Sequence, residues 1–567
     1  MKQTKVQQHS NNKSKKETHT NQSPDLYTRV NNWFDKHDKK WPYILGVFCL
    51  FYTIMLFNAR ISEANDDSVY IEAAYKYSQH FFSYFYTANA PLYPMILSLP
   101  VHIFGVNIIA LKLISVIFNF LQIFFLYKSF KNRLPNLVFY PVIFITCISP
   151  LVLYYASMTY SESFFMFLQA LFFYFFFKLS DTLETGNTEL KNTYKLWLSI
   201  GFMLAILTFT RSIAITTLPA VIFMFIVYKQ YKYALYTFCS ILIFRVPLEI
   251  LKSIIWGKQN QFAIQTQILL QKDPYDATQG LDNFNGFVMR FIGNSQLYLS
   301  KRLFQIIGFA SESSVTINGF VTIVVFALLI LGGIQLHLNK NKKLMITLFY
   351  SFAIMLGSFI VLQVQWDQAR IIMVIAPLLF LVLFFGLYQT TKKSSMGQNI
   401  YLLLIFITCT SVFISSTRKS IGNFPILKQN LKGDIYYGYT NDWVNYLKMS
   451  EWCADNLPDS SKVACRKAPM SFIYGKGHFF YPIYSVFAID STTKMSNPDS
   501  VLSIFKRNKV THVLVANLRM NPKKANQQII NTIQRILAPI AEKYPQKLKL
   551  VHSIGTSENA DLYKIIY

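Results

Sequence analysis

Apolar residues in this chain come in long runs separated by short basic loops, and that alternation narrows the folds open to it more than any other feature. Of its 567 residues 52% are hydrophobic and 16% aromatic, and the mean hydropathy is positive. A soluble protein cannot enclose that much apolar surface, whereas runs near 20 residues match the ~30 Å hydrocarbon thickness of a bilayer. The expected class is an α-helical polytopic membrane protein. The net charge of +27 does not point to nucleic acid, because Lys and Arg cluster beside the apolar runs, where basic residues orient spans.

Residues 1–40 are polar and carry almost no apolar periodicity, which predicts a disordered, basic cytoplasmic tail. No signal-peptide pattern precedes the first apolar run, 42–58, whose length and basic flank predict an uncleaved span. Basic residues in short loops set the direction from there. The run 42–58 exits, 60–105 is external, 106–127 returns, 135–153 exits, and 163–177 comes back after a tight external turn at 154–162. A single helix over 196–228 would be roughly 50 Å long, too long for one ordinary span. Two short spans with Thr210-Arg211-Ser212 at the external turn keep Lys229/Lys232, the basic loop at 339–343 and Lys392-Lys393 all cytoplasmic; one span would put all three outside. Then 233–256 exits, 257–314 is an external loop, 315–338 returns, 344–362 exits, 371–388 returns and 401–415 exits. The expected total is about 11 spans in a membrane domain at 41–417.

Two external segments stand out. Residues 69–86 have helical apolar spacing with aromatics suited to the headgroup zone, and 91–104, too short to span and rich in proline, reads as re-entrant or interfacial. In the second external loop, 284–309 has an apolar face with Arg290, Lys301 and Arg302 beside it, as in a helix lying in the interface. From residue 418 onward charge rises and the long apolar runs stop. Helical patterns at 441–456, 499–507 and 523–537 and strand patterns at 462–465, 511–516, 548–552 and 562–566 predict a soluble α/β domain over 418–567. Cys453 and Cys465 are its only cysteines, and in an oxidising compartment they either pair or remain two thiols.

Asp66 and Asp67 sit side by side in the first external loop, where two carboxylates beside a membrane are costly unless they have work to do. The ordered set Asn65-Asp66-Asp67-Ser68-Val69-Tyr70, Ala90-Pro91-Leu92-Tyr93-Pro94, Pro150 through Tyr154-Tyr155-Ala156-Ser157 to Ser161-Glu162, and Leu207-Thr208-Phe209-Thr210-Arg211 resembles the GT-C membrane glycosyltransferases. The resemblance covers residues 40–420 and is nearest to bacterial relatives of protein O-mannosyltransferases and of the lipid A aminoarabinose transferase. It implies a GT-C-like membrane domain and an inverting transfer of sugar from a polyprenyl-phosphate donor to a glycolipid, glycan or protein. It further implies a bacterial inner membrane, with the N-terminus cytoplasmic and the C-terminal domain periplasmic. In that family an acidic pair in the first external loop lies in the catalytic pocket, so Asp66 and Asp67 are the matching catalytic candidates, with Glu162 at the later turn as a third and Tyr70 and Tyr93 expected in the substrate pocket.

Chemistry agrees with that carry-over without requiring it. A carboxylate can take the proton of an attacking hydroxyl, although Asp67 can equally cap the helix that begins near Ser68, and Glu162 can serve only as a favourable charge at a helix start. Arg211 and Arg370 are candidates for the departing lipid phosphate, since a guanidinium binds two oxygens at once; snorkelling to headgroups is their alternative. Lys301 and Arg302 are further candidates to hold the donor phosphate. Arg245 and Glu249, four apart in a span, are expected to pair. Asp273, Asp276 and Asp282 lack the dense spacing of a cation loop, so no obligatory metal and no cofactor is expected, the lipid-linked sugar being a substrate. No Walker loop, dinucleotide fingerprint, HExxH or GxSxG occurs in the required context. A transporter or flippase of lipid-linked glycans, or a polymerase or ligase joining them, is the competing class; transporters show internal repeats and midplane charges, and no repeat is visible here.

Overall fold

The computed structural model describes residues 25–257, 268–273, 279–310, 317–490, 495–519 and 529–567. Among the described residues five helices are long and apolar enough to cross a membrane, Ile108–Phe130, Ser161–Glu184, Leu190–Thr210, Gly319–Leu338 and Ser395–Leu431, and the pair Asn136–Ile148 and Pro150–Ala156, bent by 50°, passes the same test jointly. Trp41–Leu56, Ser212–Val227, Met345–Val361 and Ala376–Thr391 are apolar but shorter. The expectation of about 11 spans therefore includes several helices that are short for a bilayer. Helices Gly319–Leu338 and Ala376–Thr391 touch at Gly332 and Gly386, where an added Cβ on Gly332 would meet the Val382 carbonyl at 2.5 Å. Small residues permit such close approach in membranes, where packing rather than water exclusion joins helices. The break expected between two short spans falls at Arg211, whose extended backbone separates Leu190–Thr210 from a 3₁₀ turn and the helix Thr217–Val227.

Several expectations need correction. Leu26–Lys36 is a helix, so the tail is ordered there. Asp25 caps it by accepting the Thr28 amide at 2.9 Å, and its Phe34 stacks on Tyr140 at 5.4 Å; one apolar turn per turn of helix suffices to dock a segment whose overall composition is polar. Residues 91–104, expected to be too rich in proline for an ordinary helix, form the helix Leu92–Phe104 with Pro100 inside it, and at 13 residues it is short for a span, as expected. The segment expected to lie in the interface begins as the helix Phe284–Gln296. It then passes through a π-helical turn, Leu297–Arg302, into Leu303–Ile306, and Leu297, Tyr298, Leu299, Leu303 and Ile306 are all buried in the core. The boundary at 418 falls inside one continuous helix, Ser395–Leu431. At 1.5 Å per residue its 37 residues reach about 55 Å, so it leaves the apolar zone and carries straight into the C-terminal domain.

The described residues of that domain form seven strands: β1 Val463–Cys465, β2 Tyr481–Pro482, β3 His512–Ala516, β4 Leu518–Arg519, β5 Ile529–Ile530, β6 Leu548–Ile554 and β7 Ala560–Ile565. Five form a mixed sheet in the order β2-β1-β3-β7-β6, parallel across β2, β1 and β3 and antiparallel thereafter. Helix Asn441–Asn456 forms where its spacing predicts; the helix expected at 523–537 is found at Thr532–Lys543, residues 520–528 being outside the described set. Cys453 and Cys465 are both buried free thiols, and burial pushes them up to about 12 and about 11. Trp443, Tyr446, Phe472 and Tyr474 of this domain belong to the same apolar core as the membrane helices, while a second core under the far side of the sheet is its own. The domain is thus fused to the membrane part along one face.

Candidate active site

The helix that carries the acids, Asp66–His80, begins after Asn65, which adopts a left-handed conformation at φ 78°. Asparagine tolerates that conformation because its short side chain bonds locally; here its carbonyl groups receive the Ser68 hydroxyl at 2.7 and 2.9 Å. This turn gives the two aspartates opposite environments. Asp67 points inward, fully buried, and accepts the amides of Ser62 at 2.8 Å and Ser68 at 2.9 Å. Burial, the largest influence, pushes its carboxyl up, opposed by the Ser62 amide, the Lys112 charge and the Ser68 amide. Asp66 points outward, with 38% of its side chain exposed, and one of its oxygens meets the Arg370 guanidinium.

Arg370 connects three elements brought together from far apart in the chain. Besides Asp66 it lies 3.6 Å from Glu162, its Nε donates to Gln368 at 2.6 Å, and its guanidinium stands over the Tyr160 ring at 5.3 Å. Glu162, in the first turn of Ser161–Glu184, accepts from Arg211 at 2.6 Å through Oε1. Its Oε2 is buried and accepts no hydrogen bond among the described residues. A buried carboxylate oxygen left without a donor is costly, which marks a place for a polar group to dock. Asp66, Glu162, Arg211 and Arg370 thus form one cluster of two acids and two bases.

The other sequence candidates stand around it. Tyr70 and Tyr93 are buried with rings edge-on at 5.3 Å; Tyr93 is 3.0 Å from the Ser115 hydroxyl and Tyr70 is 3.4 Å from that of Ser161. They form the wall behind Glu162 and do not line the adjoining cavity. Lys301 and Arg302 both bond Asp367, at 2.9 and 2.5 Å. Burial pushes Asp367 up, but the bonds from Arg302 and Lys301 outweigh it and hold the carboxyl below the usual carboxylate range. Arg245 meets Glu249 at 2.5 Å, as the four-residue spacing predicts. Asp282 pairs with Arg290, and Asp276 lies outside the described residues.

Tyr160, Gln368 and Ala369, next to the cluster, line a cavity of about 1160 Å³, which Asp66, Glu162, Arg211 and Arg370 do not themselves line. Residues 62–64 of the acid-bearing loop, Tyr160 and Gln368 line it, as does the middle of Ser395–Leu431 from Phe406 to Lys419. Arg60, Arg302, Arg418 and Lys419 reach it, and Phe406, Ile407 and Ile414 line its apolar part. A cavity whose lining combines Arg60, Arg418 and Lys419 with an apolar stretch of helix suits an amphipathic anion.

Sequence reasoning missed the groups that hold the acid-bearing loop. Lys112, inside Ile108–Phe130 and fully buried, donates to the carbonyl of Asn58 at 2.9 Å and to that of Arg60. A lysine within an apolar run is a signal in the sequence, since ionisable groups at membrane depth are functional or structural by default. From the other side the C-terminal domain contributes Lys467, which donates to the Glu63 carbonyl at 2.7 Å, and Tyr439, whose hydroxyl donates to the Ile61 carbonyl at 2.6 Å. No local pattern reveals either, because both contacts span more than 370 residues of chain.

Burial, the largest influence, pushes Lys467 down to about 8 from 10.5, and neighbouring Arg466 acts in the same direction. Its folded value lies below its unfolded one, so between pH 8 and 10.5 the unfolded chain binds more protons and stability rises with pH. The midpoint of thermal inactivation is expected to rise across that window. In Lys467→Met the rise should flatten, and a variant with the wild-type slope would show that another group is responsible.

No family model matches the chain, and no curated protein matches it. Solved structures do. ArnT from Cupriavidus metallidurans in the apo state aligns with a TM-score of 0.55 at 10% identity, over 93% of this chain and 98% of that one. The same protein bound to undecaprenyl phosphate aligns with a TM-score of 0.54. The oligosaccharyltransferase AglB from Archaeoglobus fulgidus, in complex with an inhibitory peptide and a dolichol-phosphate, aligns at 0.54 and 11% identity, over 85% of this chain and 70% of that one. The chain therefore shares the fold of these membrane proteins, the GT-C fold that the resemblance implied.

Proposed function

We propose that the protein transfers a sugar from a polyprenyl-phosphate carrier to a hydroxyl acceptor at the external face of the membrane. The observation that carries this reading is the cluster Asp66–Arg370–Glu162–Arg211 next to a cavity lined by both basic and apolar side chains. The apolar side chains suit a polyprenyl chain, and the basic ones suit its phosphate. A lipid-linked donor needs no nucleotide in the outer compartment. The structural neighbours with bound undecaprenyl phosphate and dolichol-phosphate support a carrier of this class.

In the reaction the acceptor oxygen attacks the anomeric carbon as the bond from that carbon to the phosphate oxygen breaks. The electron pair leaves with the phosphate and the acceptor proton passes to the exposed carboxylate of Asp66. Attack opposite the leaving group inverts the anomeric centre. Arg370 faces the charge that grows on the departing phosphate, where a fixed cation in a site of low dielectric is most effective. The unpartnered Oε2 of Glu162 accepts from a sugar hydroxyl and orients the ring.

The test is a liposome assay with radiolabelled polyprenyl-phosphate sugars, joined to mass spectrometry of surface glycans and glycolipids from cells with and without the gene. Arg370→Gln should lower kcat/KM about 10²–10³-fold, as loss of one fixed donor to a developing oxyanion does. Wild-type rates in that variant would remove Arg370 from the leaving-group site. Unchanged glycans on deletion, with no donor turned over, would end the sugar-transfer reading.

A further inference from the structure

A second cavity, of about 680 Å³, lies between the acid-bearing helix and the C-terminal domain. Its floor is one face of Asp66–His80, with Val69, Ala73, Lys76 and His80 at helical spacing. Asp66 continues that series three residues before Val69, at the N-terminal edge of the same face. From Val69 to His80 the floor runs about 16 Å at 1.5 Å per residue, so it forms a track that ends one turn from the exposed carboxylate. The opposite wall comes from the loop and edge strand at 479–484.

We propose that this groove binds a neutral saccharide chain as the acceptor, leading its terminal hydroxyl to Asp66. The inference rests on the sugar-transfer reading above. Three observations favour a saccharide. Aromatic rings stand at the rim, with Phe479 50% and Tyr484 51% exposed and Tyr84 and Tyr481 beside them. Such rings stack on the apolar C–H face of a pyranose while polar neighbours bind its hydroxyl edge, the usual mixture of a small-ligand site. Ser83, Thr87 and His80 supply those polar neighbours.

The charge is nearly balanced as well. Lys76 is committed to Glu72 at 2.6 Å and lies over the Phe479 and Tyr84 rings at 5.3 and 5.7 Å. Lys462 is then the one remaining lysine of the lining, which is weak provision for a phosphorylated headgroup compared with the Arg and Lys side chains of the first cavity. A peptide is disfavoured by the wall itself. The edge strand β2 is two residues long and the second is Pro482, which lacks the amide that strand addition needs.

The test uses the full-length protein in detergent and two probes: a pool of neutral oligosaccharides released from the envelope of the producing cells, and a pool of unmodified peptides of similar mass. Saturation-transfer NMR should show saccharide ring protons in contact with the wild-type protein. Tyr484→Ala should weaken that binding at least tenfold, and Tyr484→Trp should restore it by returning a ring. Hydrolysis of the polyprenyl-phosphate sugar by water, measured in the same preparations, should stay within twofold of wild type in both variants. No saccharide contact with the wild-type protein, equal binding by Tyr484→Ala, or preferential binding of the peptide pool would each overturn the proposal. Absence of sugar transfer from the donor in the liposome assay, with glycans unchanged on deletion, would instead refute the sugar-transfer reading, so the two failures are read separately. Phe479→Ala serves as an independent second variant with the same expected loss.

Discussion

Asp66→Asn is expected to lower sugar transfer about 10²–10⁴-fold, the usual contribution of a positioned general base, while the protein inserts and melts as before. The side chain is 38% exposed, and asparagine keeps its shape and its oxygen contact with Arg370. What it loses is the capacity to take a proton. Asp67→Asn should behave differently although the residues are adjacent. Asp67 is fully enclosed and holds two amides of its own loop, so its loss should appear first as reduced stability and only through that as reduced turnover. Comparing the two variants by turnover per folded molecule separates the roles. If Asp66→Asn turns over normally and Asp67→Asn does not, the assignment of base to Asp66 is wrong.

Lys112→Met is expected to have the largest effect on stability, about 3–5 kcal/mol. The ammonium donates to the Asn58 and Arg60 carbonyls and faces the buried Asp67 carboxyl, whose pKa it lowers. Removing one member of a buried charge system leaves the other uncompensated, and that cost is commonly of this size. Two carbonyls also lose their donor. Adding Asp67→Asn to Lys112→Met should recover part of the loss, because the second change neutralises the stranded charge. Thermal inactivation of the single and double variants measures this directly. Additive losses would mean that the two residues act independently.

Asp66 and Lys112 each leave a signal in the sequence, a carboxylate beside a bilayer and a lysine within an apolar run, but neither signal gives the side chain's partners. Asp66 and Asp67 are conspicuous because carboxylates near a bilayer are few and cluster with turn residues. Their division of labour is invisible, since it depends on a single left-handed residue, Asn65, that turns one carboxylate inward and the other outward. Arg370 and Arg211 were legible as cations beside spans. That they converge with Asp66 and Glu162 required the helices to be packed. Arg302 and Lys301 lie in a segment whose amphipathic pattern suggested a surface helix, but the tertiary core encloses its second half. A local apolar face does not say whether lipid or protein will cover it.

Hydropathy and charge placement alone determined a helical membrane protein, because a bilayer leaves no other home for apolar runs of that length. Alternation of pattern likewise determined an α/β domain at the end of the chain. Only tertiary structure decided how that domain joins the rest. Its rings share one core with the membrane helices, and Lys467 and Tyr439 hold the loop before the acids from across the chain. Periodicity records which side of an element avoids water; it contains nothing about which distant carbonyl a buried ammonium will meet.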